Sequence, residues 1–478
     1  MTDRRALILI AAGLCLLAGE LRFFRLGAWS FHGDELATLE ETCSLIAGPD
    51  ATANSQIHRL PKLVPVSAYL QLLGHECFGR DEFGSRVLSA LLGTLCVVLT
   101  FLLLDGTMGR VTALATALLL ALWPEHLYRS QENRYYMIAA LFASLTMLSG
   151  ALAVQKRSVV WTLTACGFAF AAILSHTLQA LLLGGLFLAI ALTAWVGQDR
   201  KLARLLGVVV GASVLAGVVF VVWLLPVLRG WNSGESWGYS LAHSVFASVS
   251  QLGWPIVLLA GLGVLSIWKQ GDIQTWYWSA WAAVWAGATV VLPFIVAYHP
   301  AYVFPLSLGV LVLAGRAVAL IYEALREHNV PAAVAWLGLT CVLCLPSLVS
   351  HYADGSRFDL RTPAEFVSKQ WQPGDRVSTF SAKLLRHYTQ DGIEPIPLSI
   401  SNPVAGLQKL SKQGERLWIV IPSSRSGKAE DLDRWLGRHC SLQMRHRPKR
   451  FDYYENMTEV FLYEPDHGMR VAARAMVE

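Results

Sequence analysis

Residues 86–104 read RVLSALLGTLCVVLTFLLL, with one charge at the first position and none after it. Wound into a helix at about 1.5 Å per residue, such a run crosses nearly all of the roughly 30 Å hydrocarbon core of a bilayer. Comparable runs lie near 6–23, 111–124, 135–154, 159–175, 177–196, 205–226, 247–268, 273–297, 301–321 and 330–350. Together they predict about eleven spans, the third short and the fifth and sixth nearly fused. Composition agrees: 54% of the 478 residues are hydrophobic and 15% are charged, against about 25% charged in an average soluble chain. The shortage of charge ends near residue 350. The expected fold is an α-helical polytopic membrane protein over 1–350, followed by an α/β domain over 351–478.

Charges in the breaks give the chain two sides. Arg4-Arg5, Arg110, Lys156-Arg157, Arg200-Lys201-Arg204, Lys269 and Arg326 fall in every second break. Positive residues collect in cytoplasmic loops. The N-terminus is therefore expected in the cytoplasm, with breaks at 24–85, 125–134, near 176, 227–246 and near 299 outside. An odd number of spans puts 351–478 outside too. Met1–Arg5 and the apolar Ala6–Gly19 have the outline of a signal peptide. However, no small-x-small cleavage site precedes Glu20-Leu21-Arg22, so an uncleaved first span is expected.

Other classes find little support. The net charge of +5 is scattered, with no basic stripe among aromatics, which argues against nucleic acid as a partner. Cys15, Cys96, Cys166, Cys341 and Cys344 lie in apolar runs and read as small core residues. Cys43 and Cys77 share the first outer loop and could pair in an oxidising compartment. Cys440 stands alone in the tail, and no Cys/His metal spacing occurs. No Walker A loop, Gly-x-Ser-x-Gly or His-Glu-x-x-His is present. No span carries Glu, Asp or Lys near its centre, as ion-coupled carriers usually do.

The first outer loop, 24–85, is unusually long. Within it Pro65–Phe78 has helical spacing with Tyr69, Leu72 and Leu73 on one face, predicting a helix along the membrane surface. In the tail, Pro363–Trp371 reads as a helix with Thr362 as N-cap. Pro373-Gly374-Asp375 reads as a turn into a strand at Arg376–Phe380. Leu417–Ile421 and Glu459–Tyr463 read as further strands, and Asp431–Arg438 as a helix. Pattern alone assigns this domain no active site.

Five places carry candidate chemistry. Phe31-His32-Gly33-Asp34-Glu35 puts two carboxylates just beyond the first span, where partial desolvation would suit one as a general base. An acidic turn before a short helix at Leu36–Thr42 would explain the same residues. Ser130-Gln131-Glu132-Asn133-Arg134-Tyr135-Tyr136 brings Arg134 and Tyr135 to the headgroup level, where they could hold a phosphate. A snorkelling arginine beside an aromatic belt is the plainer account. His58-Arg59-Leu60-Pro61-Lys62 is basic enough for a carrier phosphate or for anionic headgroups. His176 lies at an outer turn, as a buried histidine or a ligand. The loop Arg229–Ser244 holds Trp231, Glu235, Trp237, Tyr239 and His243, fit for stacking sugars or for an interfacial belt.

The order of these features resembles the GT-C glycosyltransferases, in particular the bacterial protein-mannosyltransferase and aminoarabinose-transferase group. The resemblance rests on the acidic pair after the first span, the proline-containing run into the surface helix, and Phe78-Gly79-Arg80-Asp81-Glu82-Phe83-Gly84-Ser85-Arg86. Ser130-Gln131-Glu132-Asn133-Arg134-Tyr135 resembles the group's second signature. The likeness covers 20–180 well and continues more loosely to 350. The tail from Pro373-Gly374-Asp375 is similar to the group's extracytoplasmic domains.

The resemblance implies an inner-membrane enzyme moving a sugar from a polyprenyl-phosphate donor to a protein, lipid or polysaccharide acceptor outside. Asp34 would then be the base and Glu35 its neighbour. Arg134 would hold the donor phosphate, with Tyr135 and Lys62 beside it, and His58, His176, Trp231 and Trp237 would meet substrate. No cofactor is required. Some relatives bind a divalent metal, for which His176 or His58 could serve. The chain departs from the group's pattern twice. Pro61-Lys62-Leu63-Val64-Pro65 replaces a basic residue followed by two prolines, and Ala301 stands before Tyr302-Val303-Phe304-Pro305 where arginine is usual. A transporter or flippase of lipid-linked intermediates is the alternative function, and a non-catalytic envelope-assembly subunit a third.

Overall fold

The computed structural model describes residues 2–47, 63–224, 240–266, 272–296, 298–354, 359–399, 401–423, 429–446 and 457–465. The chain divides into two compact units: Met1–Leu26 with Thr38–Val349, and Gly27–Ala37 with Ser350–Glu478.

The first unit is helical. Its elements begin with α1 (Thr2–Phe23), α2 (Gly33–Ala47, whose first turn belongs to the second unit), α3 (Pro65–Phe78) and α4 (Gly84–Met108). There follow α5 (Arg110–Leu122), α6 (Pro124–Ser130), α7 (Tyr136–Lys156), α8 (Val159–Ile173), α9 (Leu181–Val196) and α10 (Arg200–Val219). The rest are α11 (Leu241–Leu252), α12 (Trp254–Leu265), α13 (Ile273–Val291), α14 (Leu308–Arg326), α15 (Val330–Val342) and α16 (Leu345–Asp354).

Among the described residues, seven helices are long and apolar enough to cross a membrane, and two bent pairs raise the number to nine. The pairs are α5–α6, bent by 61°, and α11–α12, bent by 88°. Each bend has proline in the first turn beyond it, Pro124 and Pro255, where the ring removes a backbone donor and blocks a straight continuation. Two of the eleven expected spans lie outside that number. Helix α8 has 15 residues. Helix α13 carries four tryptophans and a tyrosine, which lower its hydropathy, and buries Tyr277, Trp278 and Trp281.

The breaks gather at two opposite ends of this unit. At one end Gln155 donates to the Gly106 carbonyl at 2.7 Å, Arg157 pairs with Asp199, and Gln274 donates to the Ala151 carbonyl at 3.1 Å. At the other, Ser67 donates to the Ser175 carbonyl at 3.1 Å and Gln131 to that of Phe24 at 3.1 Å. The His176 ring lies tilted against that of Tyr302, 5.6 Å between centroids. Among the described residues, the breaks joined by these contacts are alternate ones along the chain.

Surface helix α3 forms where expected. It buries Ser67, Ala68, Gln71, Gly74 and His75, and exposes Tyr69 and Leu73. A helix with its small and polar face inward and its large apolar residues outward fits a lipid surface. Cys43 and Cys77, which could have paired, are free thiols, and Cys15 is exposed on its helix rather than packed in a core.

In the second unit a five-stranded mixed sheet runs β2-β1-β3-β5-β4. Its strands are β1 (Arg376–Thr379), β2 (Pro395–Pro397), β3 (Leu417–Ser423), β4 (Cys440–His446) and β5 (Met457–Tyr463). β1 is parallel to β2 and β3, and β5 lies antiparallel between β3 and β4. Helices α17 (Arg361–Gln370), α18 (Ala382–Tyr388), α19 (Pro403–Ser411) and α20 (Ala429–His439) accompany it. Leu407, Ile419, Ile421, Leu436 and Trp435 form the core on one face.

The expected turn at Pro373-Gly374-Asp375 forms, with Gly374 at φ +95°, a conformation glycine adopts without strain. The Asp375 carboxylate accepts from the Gln372 amide at 3.0 Å and from the Trp418 indole at 2.8 Å, tying the turn to β3. Thr362 is not the cap of α17. Asp359 Oδ1 accepts from the amides of Arg361 and Thr362 at 3.0 and 3.2 Å, so the helix starts earlier than expected. α18, β2, α19 and β4 were not expected: they are short, and their apolar positions are too few to show a period.

Candidate active site

The acidic pair sits inside a helix rather than ahead of one. α2 begins at Gly33, so Asp34 and Glu35 occupy its first turn, where carboxylates offset the exposed amides and the positive end of the dipole. Glu35 Oε2 accepts from the His32 amide at 3.0 Å, and His32 Nδ1 accepts from the Asp34 amide at 3.4 Å. This is a reciprocal cap with histidine in the place usually held by serine or threonine. Glu35 is fully buried, whereas Asp34 is exposed. Partial desolvation, expected of the base, thus falls on Glu35 rather than on Asp34.

The second signature is buried in the first unit and binds several elements together. Gln131 Nε2 donates to the carbonyls of Arg22 and Phe24 at 3.0 and 3.1 Å, satisfying the C-terminal end of α1. Ser130 Oγ accepts from Arg22 Nε at 3.2 Å. Asn133 Oδ1 accepts from His75 Nε2 at 3.0 Å, and His75 Nδ1 lies 2.9 Å from the Thr42 hydroxyl. Burial pushes the His75 pKa down, with the bond to Asn133 working against it. Arg134 Nη1 donates to Thr38 Oγ1 at 2.8 Å and Nη2 to the Tyr135 hydroxyl at 3.1 Å. Its guanidinium lies 4.5 Å from the Tyr135 ring centre. A stacked, bonded guanidinium of this kind has a fixed fork, the geometry that suits a phosphate.

Next to Arg134 is an aromatic cluster. His176 lies 5.1 Å from Tyr135 and 5.9 Å from Tyr136 between ring centres. Burial, with Arg134 adding to it, lowers the His176 pKa to about 4. Its Nδ1 accepts from the Leu178 amide at 3.3 Å and caps the short turn that follows. Among the described residues, no group of three or more His, Cys, Asp or Glu is placed to hold a metal ion.

Sequence reading passed over an ion triad. Arg129 donates to Glu125 at 2.7 Å and to Glu132 at 2.8 Å, all three buried, with the arginine over the Tyr136 ring at 4.7 Å. The signal was the i, i+4 and i, i+3 spacing of Glu125, Arg129 and Glu132, hidden because the bend of α5–α6 was read as a loop. The motif entering α4 also proves structural. Asp81 Oδ1 accepts from the Gly84 amide at 2.7 Å, and Arg86, fully buried, donates to the Leu26 carbonyl at 3.1 Å. His58, Lys62, Trp231 and Trp237 lie outside the described residues. His243, expected in the loop with them, is in the first turn of α11, its amide bonded to Ser240 Oγ at 3.2 Å.

Residues 61–225 match the family profile described as dolichyl-phosphate-mannose-protein mannosyltransferase. A sequence search among curated proteins finds no match. Two structures of ArnT from Cupriavidus metallidurans are similar, each at 15% identity and a TM-score of 0.59. The apo form is covered over 98% of this chain and 99% of that one, and the form bound to undecaprenyl phosphate over 95% and 97%. The apo Archaeoglobus fulgidus oligosaccharyltransferase matches at 12% identity and a TM-score of 0.57, over 94% of this chain and 75% of that one. The likeness runs through the membrane helices and the terminal sheet domain alike, and this chain has the GT-C fold.

Proposed function

We propose that the chain transfers a sugar, a hexose such as mannose first among candidates, from a polyprenyl-phosphate carrier to an acceptor on the outer membrane face. The acceptor is a protein, lipid or polysaccharide hydroxyl or amine. Its heteroatom attacks the anomeric carbon from the side opposite the carrier, and the bond to the phosphate oxygen breaks with inversion. Asp34 takes the acceptor proton, and the phosphate leaves with the electron pair. Arg134 meets the charge the phosphate gains as it leaves. Tyr135 and His176 flank that arginine.

The observation that carries this reading is the first turn of α2, where Glu35 is consumed by the cap and Asp34 is left exposed. An enzyme needs such an exposed carboxylate; a helix start needs only one of the two. In agreement, undecaprenyl phosphate is bound in one of the similar ArnT structures.

The test is sugar transfer by purified protein in bilayers, with polyprenyl-phosphate binding measured in parallel. Asp34→Asn is expected to lose at least a hundredfold in turnover, within the range of acid–base catalysis, while still binding the carrier. Full transfer by Asp34→Asn would refute the assignment, and carrier translocation without transfer by the unaltered protein would favour the flippase. Arg134→Ala is expected to weaken carrier binding. Unchanged affinity would remove Arg134 from the phosphate site.

A further inference from the structure

The segment bearing Asp34 is part of the same compact unit as the C-terminal sheet domain. Four contacts account for this. The Phe31 amide donates to the Tyr388 hydroxyl at 2.6 Å. The Leu360 amide donates to Ser30 Oγ at 3.4 Å, and Arg361 Nη2 to the Trp29 carbonyl, also at 3.4 Å. The Phe31 ring lies 5.6 Å from that of His387 and is fully buried. Arg361 in turn lies over the Tyr388 ring at 5.5 Å. The contacts come from the start of α17 and the end of α18, and they grip Trp29, Ser30 and Phe31. The next residue, His32, is the cap of α2, and Asp34 follows two positions later.

From this geometry we infer that Tyr388 is a positioning residue for the carboxylate of Asp34, acting through the Phe31 backbone. The inference rests on the reading of Asp34 as the base. A hydroxyl that fixes one amide three residues before a helical carboxylate restricts where that helix starts, and so where the carboxylate points. Loss of such a restraint is felt in the chemical step, because misplacing a reacting group by about 1 Å can cost on the order of a hundredfold in rate. Arg361 holds Tyr388 in place by lying over its ring, and Ser30 provides a second, independent tie. The tail is thereby given work that its own surface does not advertise: it presents the catalytic turn.

The experiment compares full-length Tyr388→Phe and Ser30→Ala with the unaltered protein in lipid nanodiscs. Amide exchange of the peptide covering 27–37 is read by mass spectrometry, beside kcat, KM and carrier binding. Tyr388→Phe is expected to exchange at least tenfold faster at 27–37, with the β3 peptide unchanged. Its kcat should fall ten- to hundredfold, with KM and carrier affinity within twofold. Ser30→Ala should move both readouts the same way by a smaller factor, so the inference does not hang on one variant. Unchanged exchange at 27–37 in both variants would overturn the contact. Faster exchange with kcat within twofold, in a protein that Asp34→Asn inactivates, would overturn the positioning role alone. Full activity of Asp34→Asn would instead overturn the reading beneath it, and with it this inference.

Discussion

At Asp34 and Glu35, one residue of separation gives two carboxylates different fates. The third position of a helix can reach back to its cap, and the second cannot, so Glu35 is buried on the His32 amide while Asp34 is exposed. Losing that cap in Glu35→Ala should destabilise the protein by about 0.5–2 kcal/mol, the usual worth of a helix cap. Asp34→Asn, at an exposed position, should leave the melting temperature unchanged. Thermal unfolding of both variants in the same detergent checks the contrast, and an equal loss in the two would contradict it. His176 gives a second residue-scale test. Its folded pKa of about 4 lies below its ordinary value of 6.5. An unfolded chain therefore takes up a proton there, as pH falls from 6.5 toward 4, that the folded chain refuses. Stability from this site is complete above 6.5 and is lost across that window. Melting temperatures of His176→Asn should fall less steeply between those pH values than those of the unaltered protein, and parallel curves would refute the point.

At the scale of elements, much of what the sequence offered as chemistry proves to be carpentry. Gln131 and Asn133 bond to other helices and Ser130 accepts from Arg22 of another, and this could not be read from the sequence because these partners lie more than fifty positions away. Arg134 was legible because an arginine after a span break is conspicuous. Its partner Thr38 was not, since one threonine in an outer helix carries no signal. The packing leaves Gly93 of α4 facing Arg22 and Ser130, where a Cβ would collide with the Ser130 side chain and lie 2.9 Å from Arg22 Nε. Gly93→Ala should cost about 1–3 kcal/mol through overpacking. Gly106→Ala, in the same helix with nothing near its Cβ, should lack that penalty. Chemical denaturation of the pair measures the difference, and equal effects would show that α4 does not approach α1 so closely.

For the whole molecule, the period of apolar runs was enough to find the helices because each must satisfy its own backbone within lipid. The two bends were missed because a broken span and a loop read alike until the helix beyond the proline is seen. Charge predicts a sidedness, and the described contacts bear on one part of it, which breaks lie together: Gln155, Arg157 and Gln274 join breaks at one end, and Ser67, Gln131 and His176 join those at the other. Pairing of Arg110 with Asp105 and of Arg157 with Asp199 does not weaken the argument, since acidic residues contribute little to the orientation rule. The end holding Arg110, Lys156 and Arg200 should therefore face the cytoplasm, and the sheet domain should lie outside. Single-cysteine variants Lys156→Cys and Lys412→Cys, in a background lacking the native cysteines, test this with a membrane-impermeant thiol reagent on intact cells. Both positions are exposed. Lys412→Cys should react at once on cells whose envelope admits the reagent, and Lys156→Cys only after the membrane that holds the protein is breached. The opposite order would invert the orientation, and would place the Asp34 turn, which groups with the sheet domain, on the wrong side for an outer-face transferase.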